Sequence, residues 1–293
     1  MKKYIQKGYL NGIIAAVSYG TNPLFALPLL TKGFDVNSIL FYRYFFAVLI
    51  YGSILIFIKK LSLKISFTEL LILFSLAIVF SLSSLFLFDA FNYIEAGLAC
   101  TILFAYPIMV AIISKIFFGE KMPPVIWLAL FLVTIGISLL YNGKPNETLN
   151  IKGVILVLLS SLSYAIYMVG IKHIKSVKHM KPDKLTFYVM LFGLSVYVWN
   201  LDFCRHLQPI TNIFTFGCAI MLSIFPTIVS LESITVAIKF IGATKTAILG
   251  ALEPITAIAF GILLFGETLT LKIFCGIVFI LTSVSFVILN KSK

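Results

Sequence analysis

The carboxyl of Glu253 stands directly before Pro254 inside a long apolar stretch, "TAILGALEPITAIAFGILLF". Glu253 lies about eight residues into that stretch, and at roughly 1.5 Å of rise per residue this puts it near the middle of a membrane-spanning helix. A charged group at that depth costs about 2.5 to 3.5 kcal/mol on insertion scales, so it must face a cavity, find a partner or carry a proton. Burial penalises the charged form of any carboxyl, which would suit Glu253 to proton-coupled transport. Pro254 removes one backbone donor and loosens the preceding turn, leaving carbonyls free for a ligand or a neighbouring helix. Two roles stay open for Glu253: lining a cavity or moving a proton, and locking one helix against another by a hydrogen bond.

Four other charged residues lie inside or close to apolar runs. Arg43 keeps its charge at physiological pH, so it must pair, snorkel to the surface or meet an anionic substrate. Asp89 lies at comparable depth and is its candidate partner. Glu232 and Lys245 flank the same membrane face and could form a gate pair, or could act independently. The polar set is completed by Tyr19 and Asn22 in the first run, Tyr106 in the fourth, and Tyr164 and Tyr167 in the sixth, each a candidate for cavity lining. The expected partner is a small-molecule substrate.

Catalysis is not expected. The three histidines, His173, His179 and His206, fall in loops, and the H-E-x-x-H pattern is absent. Four scattered cysteines form no C-x-x-C pair, so neither a disulfide framework, a metal site nor a cofactor is called for.

The elements that must position these residues are membrane helices. Of 293 residues, 60% are hydrophobic and only 12% charged, with mean hydropathy +1.08, far from the composition of a water-soluble domain. Ten apolar runs approach the length that crosses a bilayer: Gly8–Leu30, Asn37–Ile58, Leu70–Phe91, Ala96–Phe118, Val125–Tyr141, Ile151–Ile171, Leu185–Leu201, Ile213–Ile238, Thr246–Phe265 and Leu271–Leu289. The connections are short and leave no room for a sizeable soluble domain. With the N-terminus inside, 17 of the 23 basic residues collect on the cytoplasmic side, five lie outside, and Arg43 remains in the membrane. The positive-inside rule therefore puts both termini in the cytoplasm. The net charge of +12 thus reads as a topology signal, with the lipid bilayer and not nucleic acid as the expected partner.

The chain also repeats itself. "FAYPIMVAIISKIFFGEK" aligns with "GALEPITAIAFGILLFGET", so that Pro107 matches Pro254 and Gly119-Glu120 matches Gly266-Glu267, an offset of 147. Near the start of each half, "KGYLNGIIAAVSYG" aligns with "KGVILVLLSSLSYA" at an offset of 145. Two halves follow, residues 1–143 and 144–293, each with five spans. An odd number of spans per half inverts the second copy, and inverted repeats are the architecture of alternating access.

The paired segments "AFNYIEAGLACTILFAYPIMVAIISKIFFGEK" and "AIKFIGATKTAILGALEPITAIAFGILLFGET", with "SYGTNPLFA" and "FYRYFFAVLI", resemble the signature regions of EamA-type carriers in the drug/metabolite transporter superfamily. The resemblance runs from about Gly12 to Leu289. It implies an all-α membrane fold of ten helices, with two inverted five-helix repeats around a central cavity, and export of metabolites, amino acids or toxic compounds across the cell (inner) membrane. A non-transporting scaffold or a channel is the alternative. One departure is internal: the first half has Tyr106-Pro107 where the second has Glu253-Pro254, so the carboxylate occurs once and any site around it is asymmetric.

Overall fold

The computed structural model describes residues 2–90, 92–94, 96–140, 150–265 and 269–289. Among them the regular structure is helical throughout. Eight helical stretches are long and apolar enough to cross a membrane: Lys3–Thr31, Val36–Ile58, Phe67–Ala90, Leu98–Phe118, Ile151–His173, Ile213–Ile241, Ala243–Leu263 and Leu271–Leu289. The expected fifth span, Val125–Tyr141, is present as a shorter apolar helix, Pro124–Leu140. The expected seventh forms a helix over Pro182–Asn200, outside that set of eight.

Several stretches are broken where the sequence removes or weakens a backbone bond. The first divides at Thr21 into α1 (Lys2–Gly20) and α2 (Asn22–Thr31), with Pro23 in the first turn of α2. The fourth divides into α5 (Ala96–Leu103) and α6 (Tyr106–Phe118), and the seventh into α13 (Ala243–Leu249) and α14 (Leu252–Phe265). Pro107 and Pro254 occupy the first turns of α6 and α14, where a missing N–H leaves no intrahelical bond unmade. The loosened turn before Pro254 is a two-residue interruption of regular α-helix at Gly250 and Ala251, three to four residues earlier, still crossed by the bonds Ala251 N–H to Ile248 at 3.1 Å and Glu253 N–H to Gly250 at 2.9 Å. Between these lie α3 (Val36–Ser53), α4 (Phe67–Ala90), α7 (Pro124–Leu140), α8 (Ile151–His173), α9 (Lys175–Lys178), α10 (Pro182–Asn200), α11 (Ile213–Ser223), α12 (Ser230–Ile241) and α15 (Leu271–Leu289). Wider π-helical turns follow α3 at Ile54–Ile58 and α11 at Ile224–Val229.

Several helix ends carry caps. Asp35, Asn150 and Asn212 each accept a hydrogen bond from a backbone N–H in the first turn of α3, α8 and α11. Gly119 closes α6 in the left-handed region at φ +63°, where a Cβ would be strained. Its expected counterpart, Gly266-Glu267, lies outside the described residues.

Packing partners are α1 with α12, α4 with α8, α1 with α14, α6 with α8, α3 with α10, and α7 with α15. The close contacts recur at the repeat offsets. Gly8 of α1 sits against Phe240 and Ile241, and Gly153 of α8 sits against Tyr93 and Ile94. The Lys7 ammonium lies 5.9 Å from the Phe240 ring centre, and that of Lys152 lies 4.4 Å from the Tyr93 ring centre. Ser230 Oγ donates to the carbonyl of Ala15 at 3.0 Å, while Ser160 Oγ donates to that of Ser83 at 2.6 Å. The buried core is built on Leu40, Tyr44, Leu73, Tyr167, Leu185 and Met190. Large apolar side chains such as Phe57, Phe117, Leu263 and Leu271 point outward, as a bilayer-facing surface requires.

Candidate functional site

The break between α13 and α14 places Glu253 in the first turn of α14, half-buried and facing α1. Its backbone carbonyl approaches Gly20 so closely that a Cβ at that position would lie 2.7 Å away. The hydroxyls of Tyr19, Tyr106 and Tyr164 and the thiol of Cys100 lie within electrostatic reach of the carboxyl. An acid on an otherwise apolar helix thus has neutral polar groups for neighbours.

Tyr106 takes the position equivalent to Glu253 in the first half, and the two come together. Its hydroxyl donates to the carbonyl of Ala247 at 3.2 Å, one of the backbone acceptors near the α13 terminus. The same hydroxyl fills the space a Cβ would occupy at Gly250, so glycine at the break is what admits it. Tyr106 packs edge-on to Tyr164 with ring centres 4.8 Å apart, and Phe80 joins Tyr167 at 4.6 Å and Tyr164 at 6.0 Å. Tyr167 is completely buried, whereas Tyr19, Asn22 and Tyr164 keep partial access. At the α1–α2 break it is Thr21, not Asn22, whose hydroxyl bonds the carbonyl of Ser18, at 2.6 Å.

Arg43 does not pair with Asp89. Its Nε donates to Thr227 Oγ1 at 2.6 Å and its Nη2 to the carbonyl of Pro226 at 2.9 Å. Both acceptors belong to the π-helical turn at Ile224–Val229, where the ladder is widened and Pro226 contributes no N–H. The guanidinium also lies 5.4 Å from the centre of the Tyr19 ring and 6.0 Å from that of Tyr44. Tyr19 thus stands between Arg43 on α3 and Glu253 on α14. Asp89 is exposed at the end of α4 and accepts from Asn92 at 3.3 Å. The expected match in depth did not imply adjacency, because the turn at Ile224–Val229 offered acceptors closer to α3.

Nor does Glu232 pair with Lys245. Gly242, at φ +88°, ends α12 and turns the chain, leaving Lys245 on the separate helix α13. Glu232 instead joins Lys59 at 3.4 Å, and Lys59 joins Asp183 at 2.9 Å. This cluster ties the end of the second span to α10 and α12. Burial is the largest influence on both Asp183 and Lys59 and opposes their charges. For Asp183 the bonds with Lys59 and Glu232 outweigh burial and hold the carboxyl below its ordinary range, while for Lys59 the two acids hold the ammonium above its own. At the same end of the bundle, His173 Nε2 lies 3.0 Å from Glu120, and the His173 ring stacks on Phe118 at 3.9 Å.

Sequence reasoning missed Thr227, Pro226, Lys59 and Asp183. Pro226 was the available signal for the first two: a proline in mid-span frees a carbonyl, and Arg43 was a donor in need of one.

The family model described as the EamA-like transporter family matches residues 6–142 and again 151–289. The chain belongs to the EamA-like transporter family. This EamA-like protein is a multi-pass membrane transporter. It is 30% identical over 273 residues to an uncharacterized transporter of Archaeoglobus fulgidus, covering 93% of each chain. It is 24% identical over 208 residues to the uncharacterized transporter YdfC of Bacillus subtilis, covering 68% of this chain and 65% of that one. A solved crystal structure shares its fold with a TM-score of 0.82 at 12% identity, covering 97% of this chain and 99% of the other.

Proposed function

We propose that this EamA-like transporter is an alternating-access exporter of small polar or amphipathic metabolites, such as amino acids or toxic compounds, built from ten helices in two inverted five-helix repeats, residues 1–143 and 144–293. The observation that carries the reading is the exchange symmetry of the packing. Swapping the halves turns the α1–α12 contact into the α4–α8 contact and the α1–α14 contact into the α6–α8 contact, while α3–α10 and α7–α15 map onto themselves. The matched pairs Lys7–Phe240 and Lys152–Tyr93 support opposite insertion, since each lysine marks where the first helix of its half begins. Two halves that can trade conformations give two states that open the same midplane site to opposite sides.

The site is where the symmetry fails. Glu253 replaces the tyrosine of the other half, half-buried and surrounded by Tyr19, Tyr106 and Tyr164. In this reading Glu253 alternates between protonated and charged forms, coupling solute movement to protons, and Arg43 holds Tyr19 in place beside it. The Lys59–Asp183–Glu232 cluster closes the cytoplasmic end of the bundle in the observed conformation. Both termini lie in the cytoplasm of a cell (inner) membrane, as the lysine distribution requires.

Counterflow in proteoliposomes tests the transport cycle. A carrier accelerates entry of labelled solute when unlabelled solute is loaded inside; a channel allows only downhill leakage, and a scaffold gives neither. Leakage without trans-stimulation for a solute the protein demonstrably passes would contradict alternating access.

A further inference from the structure

From the end of α8 to the start of α10 the chain carries lysines at every third position: Lys172, Lys175, Lys178, Lys181 and Lys184. Its structure sorts them by face. Val177 and Met180 are buried, while Lys175, Lys178 and Lys181 are exposed. The backbone is held in that orientation from outside the segment, because Lys239 Nζ at the end of α12 donates to the carbonyl of Val177 at 3.0 Å and also to that of Met180. The three ammonium groups are therefore presented by a pinned turn.

Its position is the membrane boundary. The spanning helix α8 ends at His173, one residue before the turn begins at Ile174. Below it, α6 ends in Phe117 and Phe118, both exposed, with Phe118 stacked on His173. Of the nearby acids, Asp183 is paired with Lys59, and Glu120 lies 3.0 Å from His173 Nε2, on the α6 side of the turn. Among the described residues, none of the three lysines is in a salt bridge. Concentrated positive charge sits directly above an apolar surface.

We infer that this turn is a docking site for the phosphate headgroup of anionic phospholipids, with the acyl chains lying along the exposed end of α6. A lipid satisfies both halves of the surface at once, whereas a soluble phosphate would satisfy only the lysines. The inference depends on the orientation proposed above only for which leaflet supplies the lipid, so lipid retention can succeed or fail independently of transport.

The test is native mass spectrometry of the full chain in detergent, titrated with phosphatidylglycerol or phosphatidylcholine. The wild type should retain phosphatidylglycerol preferentially. Replacing Lys175, Lys178 and Lys181 by Gln should weaken that preference by about fivefold per lysine, about 1 kcal/mol each, thus roughly 100-fold in all. Replacing the same three by Arg should keep it, and a Lys3→Gln, Lys32→Gln, Lys60→Gln control, with the same charge change, should also keep it. Equal retention of the two lipids, an unchanged preference in the Gln triple variant, or a loss as large in the control would overturn the inference. So would displacement of phosphatidylglycerol by inorganic phosphate at equal concentration, which would show a site for free anions.

Discussion

Replacing Arg43 by lysine should destabilise the fold through the π-helical turn at Ile224–Val229 and leave Asp89 out of the effect. The guanidinium donates at 2.6 Å to Thr227 Oγ1 and at 2.9 Å to the Pro226 carbonyl, two acceptors that a fixed fork can reach together. An ammonium on a shorter, flexible stem keeps one of them at most. A hydrogen bond from a charged donor contributes about 1.5 to 3 kcal/mol, and the Tyr19 ring face adds about 0.5 to 2 kcal/mol when desolvated. The expected loss for Arg43→Lys is therefore about 2 to 5 kcal/mol. Thr227 also donates to the carbonyl of Leu222 at 2.9 Å, so its hydroxyl proton is committed and a lone pair faces Arg43. Thr227→Val keeps the shape and removes that lone pair. A double-mutant cycle between Arg43→Lys and Thr227→Val, measured by reversible unfolding in mixed detergent micelles, should give a coupling of about 1.5 to 3 kcal/mol. The cycle between Arg43→Lys and Asp89→Asn should be additive. Additivity with Thr227, or coupling with Asp89, would refute the assignment of the Arg43 partners.

Gly250→Ala should destabilise by about 1 to 3 kcal/mol, because the added methyl meets the Tyr106 hydroxyl, and adding Tyr106→Phe should recover part of the loss in the same unfolding assay. Gly8→Leu and Gly153→Leu should cost similar amounts, since each forces apart an equivalent helix contact; a large loss at one with none at the other would count against the repeat. The Lys59 cluster should loosen in acid. Asp183 is held below its ordinary range, so its stabilising contribution is complete above the unfolded carboxyl range and is lost as pH falls through the lowered folded value; Lys59, held above its range, contributes until strongly alkaline pH. Amide protection at the start of α10, taken relative to the intrinsic exchange rate at each pH, should accordingly be high at neutral pH and fall in acid, and Lys59→Met should lower it at neutral pH.

The all-helical character and the placement of eight of the ten expected apolar runs were legible because lipid leaves the backbone no alternative to helices, and hydropathy marks them. Even so, charge and length keep Pro182–Asn200 and Pro124–Leu140 outside the set that qualifies by composition. For Glu253 the sequence showed an acid beside a proline inside an apolar run, but not which side chains of other helices lie beside it. Where the chain breaks was less legible, because a proline in the first turn of a helix marks the start of the new segment, and Gly250 does the separating. Charge pairing was not legible. Arg43 and Asp89 read as matched in depth but face different neighbours, and Glu232 and Lys245 are divided by the turn at Gly242. Depth along a helix is encoded by sequence position, whereas rotation about its axis and the identity of the adjoining helix are set by packing across the whole bundle.

The role of Glu253 in the transport cycle is tested most directly by the pH dependence of exchange in Glu253→Gln. In proteoliposomes, trans-stimulated exchange of a transported solute by the wild type should vary with pH, and Glu253→Gln, which keeps the shape but cannot release a proton, should flatten that profile. Exchange that keeps both the wild-type rate and the wild-type pH profile in Glu253→Gln would remove Glu253 from the transport cycle and leave it as a packing residue.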